Sequence, residues 1–467
     1  MPMKSKQTMA YQSLLTRQKE IAWTREERPY LKRIERLECL KKMLTEHEEA
    51  FMEALKKDLG KSAVESYASE LAILFNEIDY VKSNLKKWLK PNQSYHIGIG
   101  GLGKSSLSYQ PYGSVLIISP WNYPLQLTLM PLIGAIAAGN SCFIKPSEFA
   151  PTVSRTLSEL IQKYFDAELI TVVEGDSSVA EELLKLDWDF IFFTGSKRVG
   201  KKIHQAAAER QIPVVLELGG KNPCIVEPTG LTKETVRQIA WGKYLNAGQT
   251  CIAPDSVYVH ESIYPQFLEQ LKNQIETFYG ASPKNSSDYS RIIHQEHLNQ
   301  LLHYLKDGTV VYGGTFEEEQ LYLAPTILTD IQKGSSILKE EIFGPILPVI
   351  PYSSIESLTN ELLMRPVPLV TYVFSKNKAS IKNLEQQLRS GAFSVNQVIR
   401  HAAHSSVPFG GVKESGFGNY HGFAGFQAFS YQKVYYEQKN TRSLPQQYPP
   451  YETSQLKRLK KWRKWLF

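Results

Sequence analysis

Short apolar runs alternate with segments of helical pattern between residues 113 and 220, and this alternation constrains the fold more than any other feature. The predicted strands, all rich in apolar residues, are 113–119, 141–145, 169–175, 189–195 and 213–220. The predicted helices lie between them, one opening at Pro124 and the others at 151–165, 178–186 and 196–209. Apolar strands without polar alternation are typical of parallel sheets covered by helices on both faces. The pattern therefore predicts a doubly wound, mostly parallel α/β domain.

The same alternation starts again after residue 222 and predicts a second α/β domain. Its predicted helices are 232–246 and 263–280. Its predicted strands are 256–262, 322–329, 347–352 and 369–375. Ahead of both domains, residues 25–60 are charged and helical in pattern, and the Gly- and Ser-rich residues 94–109 predict a loop or hairpin. A chain of 467 residues is long enough for two or three domains.

The positive charge of the chain is concentrated near its end. The formal net charge is +7, and six positive charges belong to one short segment: Lys457, Arg458, Lys460, Lys461, Arg463 and Lys464. The rest of the chain is nearly neutral, so no general electrostatic footprint for nucleic acid is expected. Leu456, Leu459 and Trp462 recur at helical spacing among the basic residues. A basic amphipathic helix here can contact an anionic membrane peripherally or pack on the protein itself, and the sequence leaves both open.

The cysteines and the N-terminal residues indicate the compartment. The four cysteines are too scattered for a disulfide framework or a CxxC zinc motif: Cys39, Cys142, Cys224 and Cys251. We therefore expect a reducing environment and no metal site. The first twelve residues lack the apolar core of a secretory signal, so a cytoplasmic protein is expected.

Two glycine-containing segments suggest phosphate binding. Residues 98–105, GIGGLGKS, satisfy the GxxxxGK[ST] pattern, which alone indicates a P-loop nucleoside triphosphatase. A P-loop requires an apolar strand before it and a helix after it, and neither flank has that pattern. Residues 189–200 do have it, with Gly195 and Ser196 at the turn between strand and helix. A helix N-terminus there could hold a pyrophosphate, although an ordinary turn with a serine cap explains the same residues.

Three residues are candidates for a nucleophile, a base and an oxyanion donor. Cys251 lies in a small, polar segment between a predicted helix and strand, which suits a reactive thiol, whereas most cysteines are inert and buried. Glu217 ends an apolar run, where burial raises a carboxyl pKa and suits general-base catalysis; pairing with Lys221 is the structural alternative. Asn122 lies in a loop bounded by prolines, where its amide can stabilise an oxyanion or simply form a turn.

Seven segments together resemble motifs of the aldehyde dehydrogenase superfamily, and closely its class 3 branch. They run in order along the chain: PWNYP (120–124), KPSE (145–148), FTGSKRVG (193–200), ELGGKNP (217–223), GQTCIAPD (248–255), EEIFGP (340–345) and PFGGVKESGFGNYHG (408–422). Several motifs in register are far more specific than any one of them. The resemblance implies a Rossmann-like doubly wound cofactor domain, an α/β catalytic domain and a small β-hairpin element for bridging or oligomerisation.

The resemblance implies oxidation of aldehydes to carboxylic acids through a thioester; the alternative on the same fold is a catalytically silent membrane-surface protein. Cys251 would attack the aldehyde carbon, Asn122 would hold the oxyanion of the thiohemiacetal, and Glu217 would activate the water that hydrolyses the thioester. The implied substrates are medium-chain, long-chain or aromatic aldehydes. Candidate walls of the aldehyde tunnel are Trp121, Tyr123, Thr250 and residues 401–404.

The resemblance also implies cofactor contacts. In chain order these are Lys145 and Glu148 for the adenosine ribose, Gly195, Ser196 and the helix containing Gly200 for the pyrophosphate, and Glu341 and Phe343 for the nicotinamide ribose. The carboxylate of Glu148 would repel a 2′-phosphate, which favours NAD. Members of the branch often accept NADP as well, so use of NADP stays open.

The implied organisation is a homodimer with a divided chain. The implied ranges are 1–89 and 110–216 for the cofactor-binding domain, 217–400 for the catalytic domain, 90–109 and 423–440 for the bridging element, and 441–467 for the tail. A strand near 426–437 would complete the bridging element. Gln397 and Lys413 stand where the branch usually has Asp and Gly, and both fall near the implied substrate mouth and oligomer contact. These departures affect the expected chain-length preference more than the chemistry.

Overall fold

The computed structural model describes residues 3–24, 29–98, 101–438 and 448–466, and it has the α/β architecture that the sequence predicts. The α-helices are α1 (Met3–Thr24), α2 (Tyr30–Glu46), α3 (Glu48–Leu59), α4 (Ala63–Ser66), α5 (Ala72–Trp88), α6 (Gln126–Ala138), α7 (Pro151–Tyr164), α8 (Ser177–Leu184), α9 (Lys197–Ala208), α10 (Lys233–Tyr244), α11 (Tyr264–Tyr279), α12 (Gln295–Tyr304), α13 (Ser336–Lys339), α14 (Ile355–Leu363), α15 (Lys378–Gln387), α16 (Gly422–Ala428) and α17 (Thr453–Leu466). A π-helical turn at Tyr67–Leu71 joins α4 to α5, and such turns often occur at functional sites.

Most of the β-strands form two large sheets and one small sheet. They are β1 (Asn92–Gly98), β2 (Gly101–Pro111), β3 (Ser114–Ile118), β4 (Ser141–Lys145), β5 (Ile170–Val172), β6 (Phe190–Gly195), β7 (Val214–Leu218), β8 (Pro223–Val226), β9 (Ser256–His260), β10 (Thr309–Tyr312), β11 (Phe316–Glu317), β12 (Tyr322–Leu323), β13 (Thr326–Thr329), β14 (Ile346–Tyr352), β15 (Val370–Phe374), β16 (Ala392–Val395), β17 (Gly416–Phe417) and β18 (Ser430–Gln438). β11 and β12 pair only with each other.

The first sheet has the strand order β17-β7-β6-β3-β4-β5, and all of its pairs are parallel except β17 with β7. Every residue of β3 and β4 is buried, which explains their unbroken apolar sequences. From β3 the chain first proceeds through β4 to β5 and then returns to add β6 and β7 on the other side. The strand order therefore reverses between β3 and β6, and ligands bind at the carboxyl ends of the strands at such a switch point.

The second sheet confirms the predicted second α/β unit. Its order is β10-β13-β14-β9-β8-β15-β16, and its pairs are parallel except β10 with β13. β8 and β15 are fully buried. The segment that carries Cys251 connects α10 to β9 and so lies between two neighbouring strands of this sheet, β8 and β9, along the chain.

The small sheet is antiparallel and has the order β1-β2-β18. Its β1–β2 hairpin lies where the Gly- and Ser-rich residues predict one. The P-loop alternative for residues 98–105 lacks the required helix, because residues 101–111 form strand β2; residues 99 and 100 lie outside the described residues. Val434, Tyr435 and Tyr436 of β18 are all more than half exposed, at 68%, 54% and 59%.

Three predicted elements differ from the structure. The predicted strand 322–329 is two strands in different sheets, β12 and β13, with Pro325, which lacks an N–H donor, between them. The predicted strand 426–437 begins only at Ser430, because residues 422–428 form α16, whose first N–H is held 2.6 Å from a Glu77 oxygen. The helix expected to open at Pro124 begins at Gln126. Residues 25–28 of the predicted helical stretch lie outside the described residues.

Candidate active site

A cavity of about 560 Å³ lies beside Cys251 and is lined mainly by apolar side chains. Two of the predicted tunnel residues, Tyr123 and Thr250, line it with hydroxyl oxygens 2.7 Å apart. Of the predicted stretch 401–404, residues 402–403 line it as well. Trp121 lies outside this lining. The cavity is within the size range of small-molecule sites, about 300–1,000 Å³.

The loop 245–251 presents Cys251 to this cavity in a constrained conformation. Asn246 and Ala247 both have a φ of 51°, in the left-handed region that costs non-glycine residues roughly 1–3 kcal/mol each. Gly248 follows with a φ of 75°, and a Cβ there would lie 2.2 Å from the carbonyl oxygen of Gly344. The surrounding contacts must therefore hold the loop in place.

The Cys251 thiol is half-buried, and its surroundings disfavour the thiolate. Burial, followed by the charges of Glu341 and Glu217, raises the pKa of Cys251 to about 12, although the N–H groups of Cys251 and Ile252 act in the opposite direction. The thiol is therefore neutral at pH 7 and needs a base when it reacts. The Asn222 amide donates to the Cys251 carbonyl at 2.7 Å; the sequence analysis missed this residue, although it lies within the ELGGKNP motif.

Asn122 is buried and connects its own loop to the Cys251 loop. Its Nδ2 donates to the carbonyl of Gln249 at 3.0 Å. Its own carbonyl accepts from Lys61 Nζ at 3.0 Å and from Asn246 Nδ2 at 2.8 Å. A side-chain amide has two N–H groups, and the bond to Gln249 uses one. The other can donate to an oxyanion.

A buried ion pair that the sequence analysis missed supports the Asn122 loop. The side chains of Lys61 and Glu70 have no exposed surface, and Nζ lies 2.5 Å from Oε1. The second Glu70 oxygen accepts from the N–H groups of Leu125 at 2.9 Å and Gln126 at 3.1 Å. Nζ also lies 3.9 Å from the centroid of the Tyr123 ring. The pair thus holds the loop at Asn122 and at its C-terminal end, where α6 begins.

Glu217 is buried on β7 without a partner. Neither carboxylate oxygen has a hydrogen bond within the described part of the chain. Burial raises the pKa of Glu217 well above its usual value. The predicted alternative, pairing with Lys221, is absent among these residues, because Lys221 pairs with Asp255. Glu217 is therefore a desolvated carboxyl group with free acceptor positions.

The carboxyl ends of β4 and β6 offer groups for a dinucleotide. Lys145 at the end of β4 is almost fully buried and donates to Glu148 at 2.9 Å, while the Glu148 side chain is one-third exposed. Ser196 at the end of β6 is exposed and accepts from the N–H of Val199 at 3.4 Å, which caps α9. The N-terminus of this 12-residue helix has unpaired N–H groups suited to a pyrophosphate.

Two glycines allow close packing near these strand ends. A Cβ on Gly200 would lie 2.6 Å from Leu218, so this glycine lets α9 pack against β7. A Cβ on Gly219 would lie 1.7 Å from a carboxylate oxygen of Glu341. Burial raises the pKa of Glu341 to about 8, opposed by a hydrogen bond from the Gly220 N–H.

Phe343 lies near Glu341 on the same segment, and two aromatic residues hold it. Its φ is 52°, and its carbonyl accepts from His297 Nε2 at 2.8 Å. Its ring meets the Trp121 ring edge-on with centroids 5.4 Å apart. Trp121 therefore lies with the residues expected at the nicotinamide ribose, and not with the cavity walls. The pair of buried Lys145 with partly exposed Glu148, the N-terminus of α9 and the Glu341 carboxylate beside Gly219 fit a dinucleotide.

Residues 3–24, 29–98, 101–438 and 448–466 contain no group of three or more His, Cys, Asp or Glu side chains placed to hold a metal ion. Within these same ranges, every helix is too short or too polar to cross a membrane.

Comparison with known proteins identifies the family. Residues 9–435 match the model of the aldehyde dehydrogenase family. A 4,4'-diapolycopene-4,4'-dial dehydrogenase of Cytobacillus firmus is 50% identical over 86% of this chain and 88% of its own length. A dimeric, NADP-preferring aldehyde dehydrogenase of Canis lupus familiaris is 40% identical over 91% of this chain and 94% of its own. The substrate-bound structure of Staphylococcus aureus AldH has a TM-score of 0.92 and 38% identity, covering 97% of this chain and 99% of that one.

The chain therefore belongs to the aldehyde dehydrogenase family. It is an NAD(P)-dependent enzyme that oxidises aldehydes, as the motifs along the sequence predict.

Proposed function

We propose that Cys251 is the nucleophile of this oxidation, Asn122 the oxyanion donor and Glu217 the general base. The observation that supports this most strongly is the Glu217 carboxylate, which is buried without a partner and whose charge acts on the Cys251 thiol. Buried carboxylates are normally hydrogen-bonded, and exceptions concentrate at functional sites.

The three residues act in sequence. The Cys251 proton passes to Glu217 as the sulfur attacks the aldehyde carbon, because the thiol is neutral at pH 7. The free N–H of Asn122 and the backbone N–H of Cys251 then stabilise the oxyanion of the thiohemiacetal. NAD(P), when bound, accepts the hydride that leaves the substrate carbon. Glu217, after releasing its proton to solvent, takes a proton from the water that attacks the thioester, which frees the thiol and a carboxylic acid.

The polar groups at the carboxyl ends of β4 and β6, together with the segment that carries Glu341 and Phe343, support one orientation of the bound dinucleotide. Lys145 and Glu148 would hold the adenosine ribose, and Gly195 and Ser196 with the N-terminus of α9 would hold the pyrophosphate. The nicotinamide ribose would lie against Glu341 and Phe343, and Gly200 would contribute only by letting α9 pack closely. The partly exposed carboxylate of Glu148 disfavours a 2′-phosphate, so we infer a preference for NAD over NADP.

The cavity supports a long, apolar aldehyde as substrate. Its lining is mainly apolar, with small side chains at Ala68, Ala402 and Ala403 that leave room for a bulky chain. The Cytobacillus firmus relative acts, by its name, on 4,4'-diapolycopene-4,4'-dial. We infer a long, apolar aldehyde for this chain as well, with its reacting end at Cys251, beside Tyr123 and Thr250.

The small antiparallel sheet supports a homodimer. The side chains of β18 from Val434 to Tyr436 are exposed and apolar or aromatic, and the Canis lupus familiaris relative is named dimeric. We assign 90–109 and 423–440 to this bridging element, 1–89 with 110–216 to the cofactor domain and 217–400 to the catalytic domain. The boundary at 216/217 falls within β7, so Glu217, the first residue assigned to the catalytic domain, lies on a strand of the first sheet.

The tail supports peripheral membrane contact of a cytoplasmic enzyme. Leu456 and Leu459 on α17 are 53% and 38% exposed, and Lys457, Arg458, Lys460 and Lys461 surround them. Binding of the full chain and of a chain lacking 456–467 to vesicles with and without anionic lipid tests this contact. Equal binding of both chains would contradict it.

Turnover of an aldehyde series, from short to long chains, tests the proposed function with NAD and with NADP. Cys251→Ser should abolish NAD-dependent oxidation, whereas Cys39→Ser, a matched control, should retain it because serine can keep the 3.3 Å bond to the Tyr164 carbonyl. Catalytic efficiency should rise with chain length and be higher with NAD. Undiminished oxidation by Cys251→Ser would refute the proposed nucleophile.

A further inference from the structure

Glu65 connects the cavity wall to the strained Cys251 loop. It is a half-buried residue of α4 that lines the cavity. Its Oε1 accepts from the backbone N–H of Asn246 at 2.9 Å, across 181 residues of sequence. Asn246 begins the left-handed stretch that continues through Ala247 and Gly248. The bond therefore acts at the point where the backbone departs from helix α10 toward Cys251.

The backbone of Asn246 is held on both its acceptor and its donor side. Its carbonyl accepts from the N–H and from Nε2 of Gln249, both at 3.0 Å. The Asn246 side chain donates to the carbonyls of Asn122 and Gln249, at 2.8 and 3.1 Å, and these bonds fix the side chain. The Asn246 N–H, which fixes the backbone of the first left-handed residue, is bonded to Glu65. A charged carboxylate makes a hydrogen bond roughly twice as strong as that of a neutral group.

We propose that Glu65 is a positioning residue whose ionised carboxylate holds loop 245–251 in the conformation that presents the Cys251 thiol to the aldehyde. This inference rests on the proposed role of Cys251 as nucleophile. Glu65 itself takes no part in bond making. Its loss of charge loosens the loop, and the thiol then spends less time in the reactive position.

The charge of Glu65 changes near neutral pH. Burial raises its pKa to about 7, and the positive charge of Lys61 opposes that rise. The charged and titratable groups that face Glu65 are Lys61, Glu70, Tyr123, Tyr279 and Asp288. Lys61 is bonded to Glu70, so it neutralises Glu65 only in part. With a pKa of about 7, the carboxylate is mostly ionised at pH 8 and mostly protonated at pH 6, and we expect the loop to be held more firmly at the higher pH.

Hydrogen exchange of the 245–251 amides, measured at pH 6 and pH 8 and corrected for intrinsic rates, tests this proposal. In the unaltered protein, protection should be about fivefold to tenfold higher at pH 8 than at pH 6. Glu65→Gln should remove this difference and leave the protection near the pH 6 level. Glu159→Gln, an exposed glutamate on α7, is the matched control and should leave it intact.

The rate of Cys251 alkylation by iodoacetamide supplies the second readout. Glu65→Gln should flatten the part of its pH dependence between pH 6 and 8, and Glu65→Ala should lower the rate further. Protection and alkylation profiles of Glu65→Gln equal to those of the unaltered protein would overturn the proposal, whether or not Glu65→Ala folds. Neither measurement depends on turnover. A failure of the Glu65 proposal is therefore distinguishable from a failure of the proposed nucleophile, which retained activity of Cys251→Ser would reveal.

Discussion

Substitution of Lys61 by methionine removes one partner of the buried ion pair that holds the Asn122 loop. Methionine is close to lysine in shape, so the packing against Tyr123 is largely kept while the charge and its two bonds are lost. Glu70 then keeps only the N–H groups of Leu125 and Gln126 as partners. A carboxylate without its cation is left in a site that has no exposed surface.

The expected cost follows from this burial. Removing one partner of a buried ion pair costs about 3–5 kcal/mol, because the remaining charge cannot be solvated. The Asn122 carbonyl adds little to this, since it still accepts from Asn246 at 2.8 Å. We therefore expect Lys61→Met to lower the free energy of unfolding by about 3–5 kcal/mol. Loosening of the Asn122 donor should also lower kcat, by up to about 100-fold if that bond is lost.

Urea unfolding and steady-state kinetics of Lys61→Met, Glu70→Gln and the double variant measure both effects. The double variant should be more stable than Lys61→Met alone, because a neutral glutamine tolerates loss of the cation. Lys41→Met is the matched control: Lys41 pairs with Asp79 at 2.7 Å, but the side chains are 33% and 52% exposed. That pair should contribute about 0–1 kcal/mol. Equal effects of Lys61→Met and Lys41→Met would refute the positioning role of the buried pair.

Three other substitutions test individual contacts. Gly248→Ala should lower the free energy of unfolding by roughly 1–3 kcal/mol and slow alkylation of the Cys251 thiol. The reason is that φ is 75° and that the new Cβ would lie 2.2 Å from the Gly344 carbonyl oxygen. An unchanged melting temperature and alkylation rate would contradict this. Gly219→Ala should weaken NAD binding, because the new Cβ would displace the Glu341 carboxylate. Fluorescence titration measures the Kd, and an unchanged Kd would count against a contact between Glu341 and the nicotinamide ribose. Glu217→Gln should raise the melting temperature, and the gain should grow as pH rises above about 4.5. Burial raises the pKa of Glu217 in the folded state, so above its usual pKa the carboxyl ionises more readily in the unfolded chain, which favours unfolding. Glutamine cannot ionise and avoids this loss; a gain that shrinks with rising pH would contradict the reasoning.

The sequence was informative wherever the signal was local. Alternating apolar runs predicted both parallel sheets, because strands buried on both faces must be apolar. The motifs around Asn122, Glu217 and Cys251 predicted three candidate residues. In the structure Asn122 is hydrogen-bonded to the Cys251 loop, and the charge of Glu217 acts on the Cys251 thiol. The turn at Gly195 and Ser196 could be predicted because a strand, a turn and a helix follow one another directly in the sequence.

The supporting residues could not be predicted, since their contacts are distant in sequence. Glu65 bonds to a residue 181 positions away, and Lys61 bonds to the Asn122 carbonyl 61 positions away. In the sequence both are ordinary charged residues in a polar, helix-forming segment. The position of Trp121 beside Phe343 also depends on loop geometry that no periodicity encodes. The predicted strand 322–329 is divided by a local effect, because Pro325 lacks an N–H donor, and the predicted strand 426–437 is shortened because residues 422–428 form α16.

Intact-protein mass spectrometry of Glu217→Gln, mixed with NAD and a long-chain aldehyde, tests the central mechanism most directly. Without Glu217 the thiol must lose its proton to water, so acylation is slower, but the thioester is not hydrolysed because no base activates the attacking water. A covalent acyl adduct should therefore accumulate, and peptide mapping should locate it on Cys251. The adduct should be absent in Cys251→Ser with the same glutamine substitution. Full turnover by Glu217→Gln without any adduct, or an adduct on another residue, would contradict the account.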